Sequence, residues 1–500
     1  MGLNGLDLAV IVGYLGAVTA FGMHFRKKQN TLKGYFLAGN TIPWWAIALS
    51  IVAAETSTLT IISVPGLAYE KDFGFLQLVI GYLIGRVIIS LVLIPQYFRG
   101  DLVTAYQLID RRFGQRLRTL TAGLFLMTRA AAEGVRVFAV AIVVRIALGN
   151  LLGGSSDLER DVAAIALVTT LTLLYTIRGG MAAVIWTDVV QLTVYLTGTL
   201  VGLFTILHLV PGGWPTVQSV AAGAGKFRVF YFSWNFYANY TFWSGAIGGA
   251  FLTTASHGTD QLIVQRLLAA RSERQSKIAL LASGVMVLFQ FSLFLLAGAM
   301  LFVFYKIFPP LVKFSRTDTI FPAFVVTHMP HGISGLLISA ILAAAMSNLS
   351  AALYSLSSTT MVDFYLRIDP GASERRRVFL SRAATVAWGV ALFALAMVAR
   401  RSGRVLEVGL SIASVAYGSL LGVFLLGVLT RKASERGAMV GMLCGFLLNI
   451  YLWQCTRVPF TWYVALGSVT TFGIGYGASF FLPQSEDGRS RSGPEPEQQN

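Results

Sequence analysis

Runs of about 20 apolar residues, the length that carries a helix across the hydrocarbon core of a bilayer, recur along almost the whole chain. No other feature limits the fold so strongly. A backbone in lipid must satisfy its own hydrogen bonds, and only helices and closed barrels do so. The composition agrees: hydrophobic residues make up 55% of the 500 and charged residues 12%, against about 25% charged in an average soluble domain. Mean hydropathy is +0.68. The expected fold is an all-α polytopic membrane protein.

Hydropathy places about 13 spans, at residues 5–24, 43–68, 74–98, 119–148, 161–177, 182–210, 240–264, 276–306, 332–365, 378–399, 405–429, 437–455 and 460–482. An odd number puts the two termini on opposite sides. Most of the 39 Lys and Arg lie in loops that follow odd-numbered spans or in the C-terminal tail. The positive-inside rule then sets the N-terminus outside and the C-terminus in the cytoplasm, in a cell (inner or plasma) membrane. This topology accounts for the net charge of +16 without calling for nucleic acid. The basic cluster Arg26-Lys27-Lys28 follows the first apolar stretch instead of preceding it, the reverse of a cleavable signal peptide. Residues 1–482 are expected to form a single transmembrane domain, and the polar residues 483–500 a disordered cytoplasmic tail. The longest loop, 211–239, leaves no room for a soluble motor, and no phosphate loop ending in Gly-Lys-Ser/Thr is present. Cys444 and Cys455 follow neither a metal-ligand nor a disulfide pattern.

The stretch from Ser339 to Asp363 is long enough to span yet dense in small residues and hydroxyls. Ala340, Ala344, Ser347 and Ala351 recur at steps of three or four and share one helix face, with Asn348 beside them. Two readings stand: a cation or substrate site at mid-depth, or close helix packing through small residues.

Ionisable residues inside spans are costly and mark candidate sites. The segment Ser50 to Thr60 sets Glu55 among hydroxyl residues, with Pro65-Gly66 following. This predicts a helix that unwinds and offers backbone carbonyls; the alternative is a structural carboxylate paired with Arg86 of the next span. Arg129, Glu133 and Arg136 share a helix face, so Glu133 pairs with either arginine. Asp188 lies within about two turns of the cytoplasmic end of its span, close enough to line an inner cavity. The seventh span ends in His257, Asp260 and Gln261. A lone His without a second ligand at helical spacing reads as an ordinary hydrogen-bonding residue.

With these residues in hand, the chain resembles the sodium:solute symporter family from Leu6 to about Leu482. Trp44-Trp45 through Tyr69 looks like the family's first core helix, and Gly179 to Gln191 is similar to its most recognisable signature. Thr259-Asp260-Gln261 through Ala270 is a third motif, and Gly422 to Gly427 with Gly437, Ala438 and Gly441 a fourth. The resemblance implies a LeuT-type inverted repeat of five plus five core helices, about 43–210 and 240–429, with one leading and two trailing helices. It implies Na⁺-driven uptake of a small organic solute by alternating access, with no enzymatic chemistry. The main Na⁺ site would use the carbonyls of Ala53, Thr56 and Ala344 and the side chains of Ser347 and Asn348. Such a set of oxygens suits a hard cation. Asn348 departs from the Ser or Thr usual in the family; its oxygen still ligates, but the side chain is longer and brings an NH₂ donor.

Asp188 matches an acidic residue that the family links to Na⁺ release or a second ion site. Glu55 falls where some members carry a functional Asp or Asn. Arg136 lies near a position where relatives use Arg for a substrate carboxylate, and Arg86 adds further positive charge. Asp260 and Gln261 are candidates for substrate binding or coupling. These residues lean toward a carboxylate-bearing solute; a neutral sugar or polyol, and a proton-coupled or uncoupled carrier on the same fold, stay open. A sensor on this fold is the reading from another class, and no signalling domain occurs in the sequence. The expected partners are the solute and the lipid bilayer, with no obligatory protein partner.

Overall fold

The computed structural model describes residues 3–24, 37–99, 105–148, 156–175, 181–310, 314–365, 368–369, 371–400 and 405–482. The expected tail, 483–500, lies outside the described residues. All named elements are helical. They are α1 (Gly5–His24), α2 (Trp44–Glu55), α3 (Thr58–Glu70), α4 (Phe73–Phe98), α5 (Tyr106–Phe113), α6 (Gln115–Leu148), α7 (Asp157–Tyr175), α8 (Met181–Leu209) and α9 (Gly213–Gly223). There follow α10 (Gly249–Gly258), α11 (Gln261–Leu268), α12 (Glu273–Ile307), α13 (Ile320–His328), α14 (Ile333–Thr359), α15 (Glu374–Ala399), α16 (Val405–Leu429), α17 (Glu435–Cys455) and α18 (Phe460–Phe481).

Among the described residues, eight helices are long and apolar enough to cross a membrane, and nine when α2 and α3 count as one bent span. The other four expected segments are helical too; α6 carries Arg129, Glu133 and Arg136 within two turns. α7 opens on Asp157, Glu159, Arg160 and Asp161, and the segment 240–264 is broken.

The contacts show how the halves are related. α4 packs on α10, and α12 packs on α2 and α3; α8 packs on α2, and α16 on α10; α6 packs on α7, and α14 on α15. Each of these contacts is reproduced with the counterpart helices exchanged, and α6 meets α14 at the centre. That is the five-plus-five inverted repeat. α1 leads and leans on α14, while α17 and α18 trail and pack on α16. Glycines permit the exchanged contacts. Gly81 of α4 faces Gly249 of α10 and the preceding Gly245, and a side chain at any of the three would strike the opposing backbone. Gly298 of α12 meets the Pro65 carbonyl of α3 in the same way.

The first helix of each half is interrupted. α2 and α3 meet at 64° across Thr56 and Ser57, where Ser57 is extended (φ −79°, ψ 171°). The break lies among the hydroxyl residues, and Pro65 sits inside α3 instead of causing it. The Thr56 hydroxyl donates back to the Val52 carbonyl at 2.7 Å, a local bond of the kind that competes with helix continuation. In the second half α10 ends at Gly258, and α11 restarts at Gln261 with Asp260 as its N-cap, Oδ1 accepting from Leu262 N–H at 2.9 Å. Paired interruptions at corresponding positions of two repeats mark where such folds bind their cargo.

Candidate functional site

At the first interruption the backbone hydrogen bonds are redirected. The Ser57 N–H donates to the Glu55 carbonyl at 3.1 Å, and the Thr60 and Ile61 N–H groups both donate to the Ser57 carbonyl, at 2.9 and 3.3 Å. In a continuous helix the first two amides would serve Ala53 and Thr56. The carbonyls of Ala53 and Thr56 are thereby released from helical pairing, at the negative end of α2. On the other side of the break, α3 presents its N-terminus, the positive end of a helix dipole.

A small cleft, with room for about one water, opens beside this break. Ser57 and Thr58 line it from α3 and its cap, Glu133, Arg136, Val137 and Val140 from α6, and Ala345, Asn348 and Leu349 from α14. The Arg136 side chain is 30% exposed, and its Nη1 donates to Glu133 Oε1 at 2.6 Å. Arg129 Nη2 lies 3.0 Å from the same oxygen. Glu133 therefore holds both arginines at once, not one of them. Arg129 is also 3.3 Å from Asp260 Oδ2, which takes the Tyr417 hydroxyl at 2.9 Å.

The structure sorts the other candidates. Ala344 is buried on α14 one residue from the cleft wall, and Asn348 is in the wall. Ser347 lies within α14, and its side chain is outside the described residues. Arg86 does not line the cleft: its side chain is 1% exposed, ion-paired to Glu55, and donates to Ser283 Oγ at 3.2 Å and the Tyr82 carbonyl at 3.3 Å. His257 Nε2 sits 3.4 Å from Glu55 Oε2, and its Nδ1 is 2.9 Å from Ser256 Oγ. Glu55 and Arg86 thus form a buried cluster that ties α2 to α4, α10 and α12. Asp188 is buried; its Oδ2 accepts the Ser50 hydroxyl at 2.6 Å and Arg266 Nη2 at 3.1 Å. Asp260 caps α11, and the Gln261 amide oxygen accepts the Ala105 N–H at 2.7 Å. Neither Asp260 nor Gln261 lines the cleft.

Sequence reasoning passed over Thr58, Gln290, Ser50 and Arg266. Gln290 of α12 donates through Nε2 to the Thr56 hydroxyl, bracing the break. Thr58 and Ser50 lay within the hydroxyl-rich segment already singled out; Gln290 had no local signal, because its partner is 234 residues away.

A model of the sodium:solute symporter family matches residues 35–445. The chain belongs to the sodium:solute symporter family. The sodium/sialic acid symporter SiaT of Proteus mirabilis (strain HI4320) is 29% identical over 475 residues, 93% of each chain. The solved substrate-bound outward-open state of a Na⁺-coupled sialic acid symporter matches with a TM-score of 0.82 at 27% identity, covering 96% of this chain and 98% of that one. Mhp1, a nucleobase-cation-symport-1 family transporter in a closed conformation, matches with a TM-score of 0.56 at 12% identity, over 91% of this chain and 97% of its own, a likeness of fold alone. This symporter is a multi-pass membrane transporter, not an enzyme, and couples Na⁺ to the movement of a small organic solute.

Proposed function

We propose that this symporter imports a small carboxylate-bearing solute, held in the cleft between α3, α6 and α14, together with Na⁺ held at the α2–α3 break. The observation that carries the reading is the convergence of Arg136 and the N-terminus of α3 on one cleft. A partly exposed guanidinium and a helix N-terminus both favour an anion, and the bidentate fork of Arg suits a carboxylate. The Na⁺ would take the released carbonyls of Ala53 and Thr56, the Ala344 carbonyl, and the side chains of Ser347 and Asn348. This division of labour, anion at the half-helix N-terminus and cation at freed carbonyls, is what a broken helix supplies. Sialic acids are acidic sugars, so relatives named for them support the acid over a neutral polyol. The N-terminus would face outside and the C-terminus the cytoplasm, as the distribution of basic residues favours. Asp188 would act at Na⁺ release, exchanging partners as α8 and α11 move.

Purified symporter in proteoliposomes tests this. An inward Na⁺ gradient should drive accumulation of radiolabelled sialic acid, with unlabelled organic acids competing and neutral sugars not. Competition by neutral sugars alone, with acids inert, would overturn the carboxylate reading.

A further inference from the structure

Both arginine contacts on Glu133 fall on a single oxygen, Oε1. Among the described residues no donor reaches Oε2 of this carboxylate, whose side chain is 1% exposed and which lines the cleft. A second polar group in the same wall is also unanswered: the Thr58 hydroxyl is buried without a hydrogen-bond partner. Buried polar groups without partners are costly, and in a cargo site the cargo is what satisfies them.

Arg136 and Glu133 are three residues apart on α6 and share a face. A solute carboxylate on the remaining edge of the Arg136 guanidinium is thereby brought beside Glu133 Oε2. Two carboxylates that close repel unless a donor stands between them. A donor on the carbon next to the solute carboxylate, a hydroxyl or an ammonium, reaches Oε2 and bridges the two. A bare C–H at that position leaves Oε2 unpaired and the repulsion unrelieved.

Resting on the reading of Arg136 as the carboxylate site, we propose that Glu133 is a specificity-determining residue that selects 2-hydroxy or 2-amino acids over acids with an unsubstituted 2-position. The Thr58 hydroxyl would take a further polar group of the same solute. A site built to bond a hydroxyl or amine discriminates strongly against the analogue that lacks it, because the site's own group is then left unpaired.

The test uses matched acids on the full-length symporter in detergent with Na⁺ present. The probes are mandelate and phenylglycine against phenylacetate, and lactate and alanine against propionate, each titrated for thermal stabilisation. The 2-hydroxy or 2-amino member of a set should half-saturate at a concentration lower by about tenfold or more, the scale of one hydrogen bond to a charged group. In Glu133→Gln this preference should shrink to about threefold or less. The wild-type panel does not depend on that variant folding. Equal half-saturation across each wild-type set overturns the role of Glu133 and leaves the carboxylate reading of Arg136 standing. Stabilisation by neutral sugars with none by any acid overturns both.

Discussion

The carboxylate of Asp188 on α8 accepts the Ser50 hydroxyl of α2 at 2.6 Å, and Arg266 of α11 closes the triangle by donating Nε to Ser50 at 2.9 Å and Nη2 to Asp188 at 3.1 Å. Three elements, two of them pieces of the interrupted helices, are thus joined by one buried charge pair. Asp188→Asn leaves the Arg266 charge uncompensated, and breaking one side of a buried pair costs about 3–5 kcal/mol. The expected outcome is a lower melting temperature in detergent and slowed Na⁺-driven uptake. The double variant Asp188→Asn with Arg266→Gln removes both charges and should recover most of the stability. If its uptake recovers as well, Asp188 serves only to hold the helices together.

The Glu55–Arg86 pair poses the same problem at the end of α2. Arg86 is among the largest fully buried side chains, and its guanidinium answers Glu55, Ser283 and the Tyr82 carbonyl. Glu55→Gln should destabilise the protein by about 3–5 kcal/mol while leaving the ranking of competing solutes unchanged, because neither residue lines the cleft. Thermal unfolding and competition uptake on the same preparation check both halves of this expectation. A changed solute ranking would place Glu55 in the substrate path.

What the sequence made legible follows from the range of each signal. The apolar runs are local and repeated, so the membrane class and the helical fold could be read directly. The α2–α3 break was legible because the hydroxyls that destabilise a helix lie in the broken segment itself, from Thr56 to Thr60. The α10–α11 break was not. Asp260 and Gln261 drew attention as candidates for binding, yet an Asp that caps a new helix and an Asp that binds cargo look alike until the backbone is seen. Hydropathy marks α6 as a span despite the charges gathered inside it, and the fold pairs those charges internally. Pairings across the fold, Gln290 with Thr56 or Tyr417 with Asp260, left no trace in local sequence.

Gly81 lies where α4 packs tightly on α10 and the residues before it. A side chain there meets the backbone of Gly245, Gly249 and Ala250, none of which rotates out of the way. Gly81→Val should therefore lower folded yield and melting temperature, with the loss in the range of about 1–3 kcal/mol or more expected for overpacking. Gly473 of α18 has open space around its Cβ position and is the control. Size-exclusion profiles in detergent distinguish the two.

Lys226, in the segment before α10 and outside the spans, is buried with its Nζ donating to the Tyr69 and Lys71 carbonyls at 2.6 and 2.8 Å. Burial pushes its pKa below the ordinary lysine value, with Asp72 and Glu70 partly offsetting this. In the window between the lowered value and the ordinary one the unfolded chain binds more protons, so stability rises as pH rises through it. Lys226→Met should flatten the melting-temperature profile on the alkaline side of neutrality. An unchanged slope would assign the pH dependence to other groups.

The Na⁺ site yields the most direct prediction, because the cation stabilises only the state that binds it. At a concentration 100 times its dissociation constant, Na⁺ adds about 2.7 kcal/mol, and replacing it with K⁺ should lower the melting temperature accordingly. Ser347→Ala removes one proposed ligand and should raise the Na⁺ concentration needed for half-maximal stabilisation and half-maximal uptake together. Asn348 belongs both to the proposed cation set and to the cleft wall. Asn348→Ser should keep Na⁺ coupling while altering solute affinity, since the shorter hydroxyl still offers an oxygen but withdraws the amide from the cleft. Asn348→Ala should weaken both. If Na⁺ titrations of all three variants overlay the parent, the cation is held elsewhere, and the freed carbonyls of Ala53 and Thr56 serve only the bend.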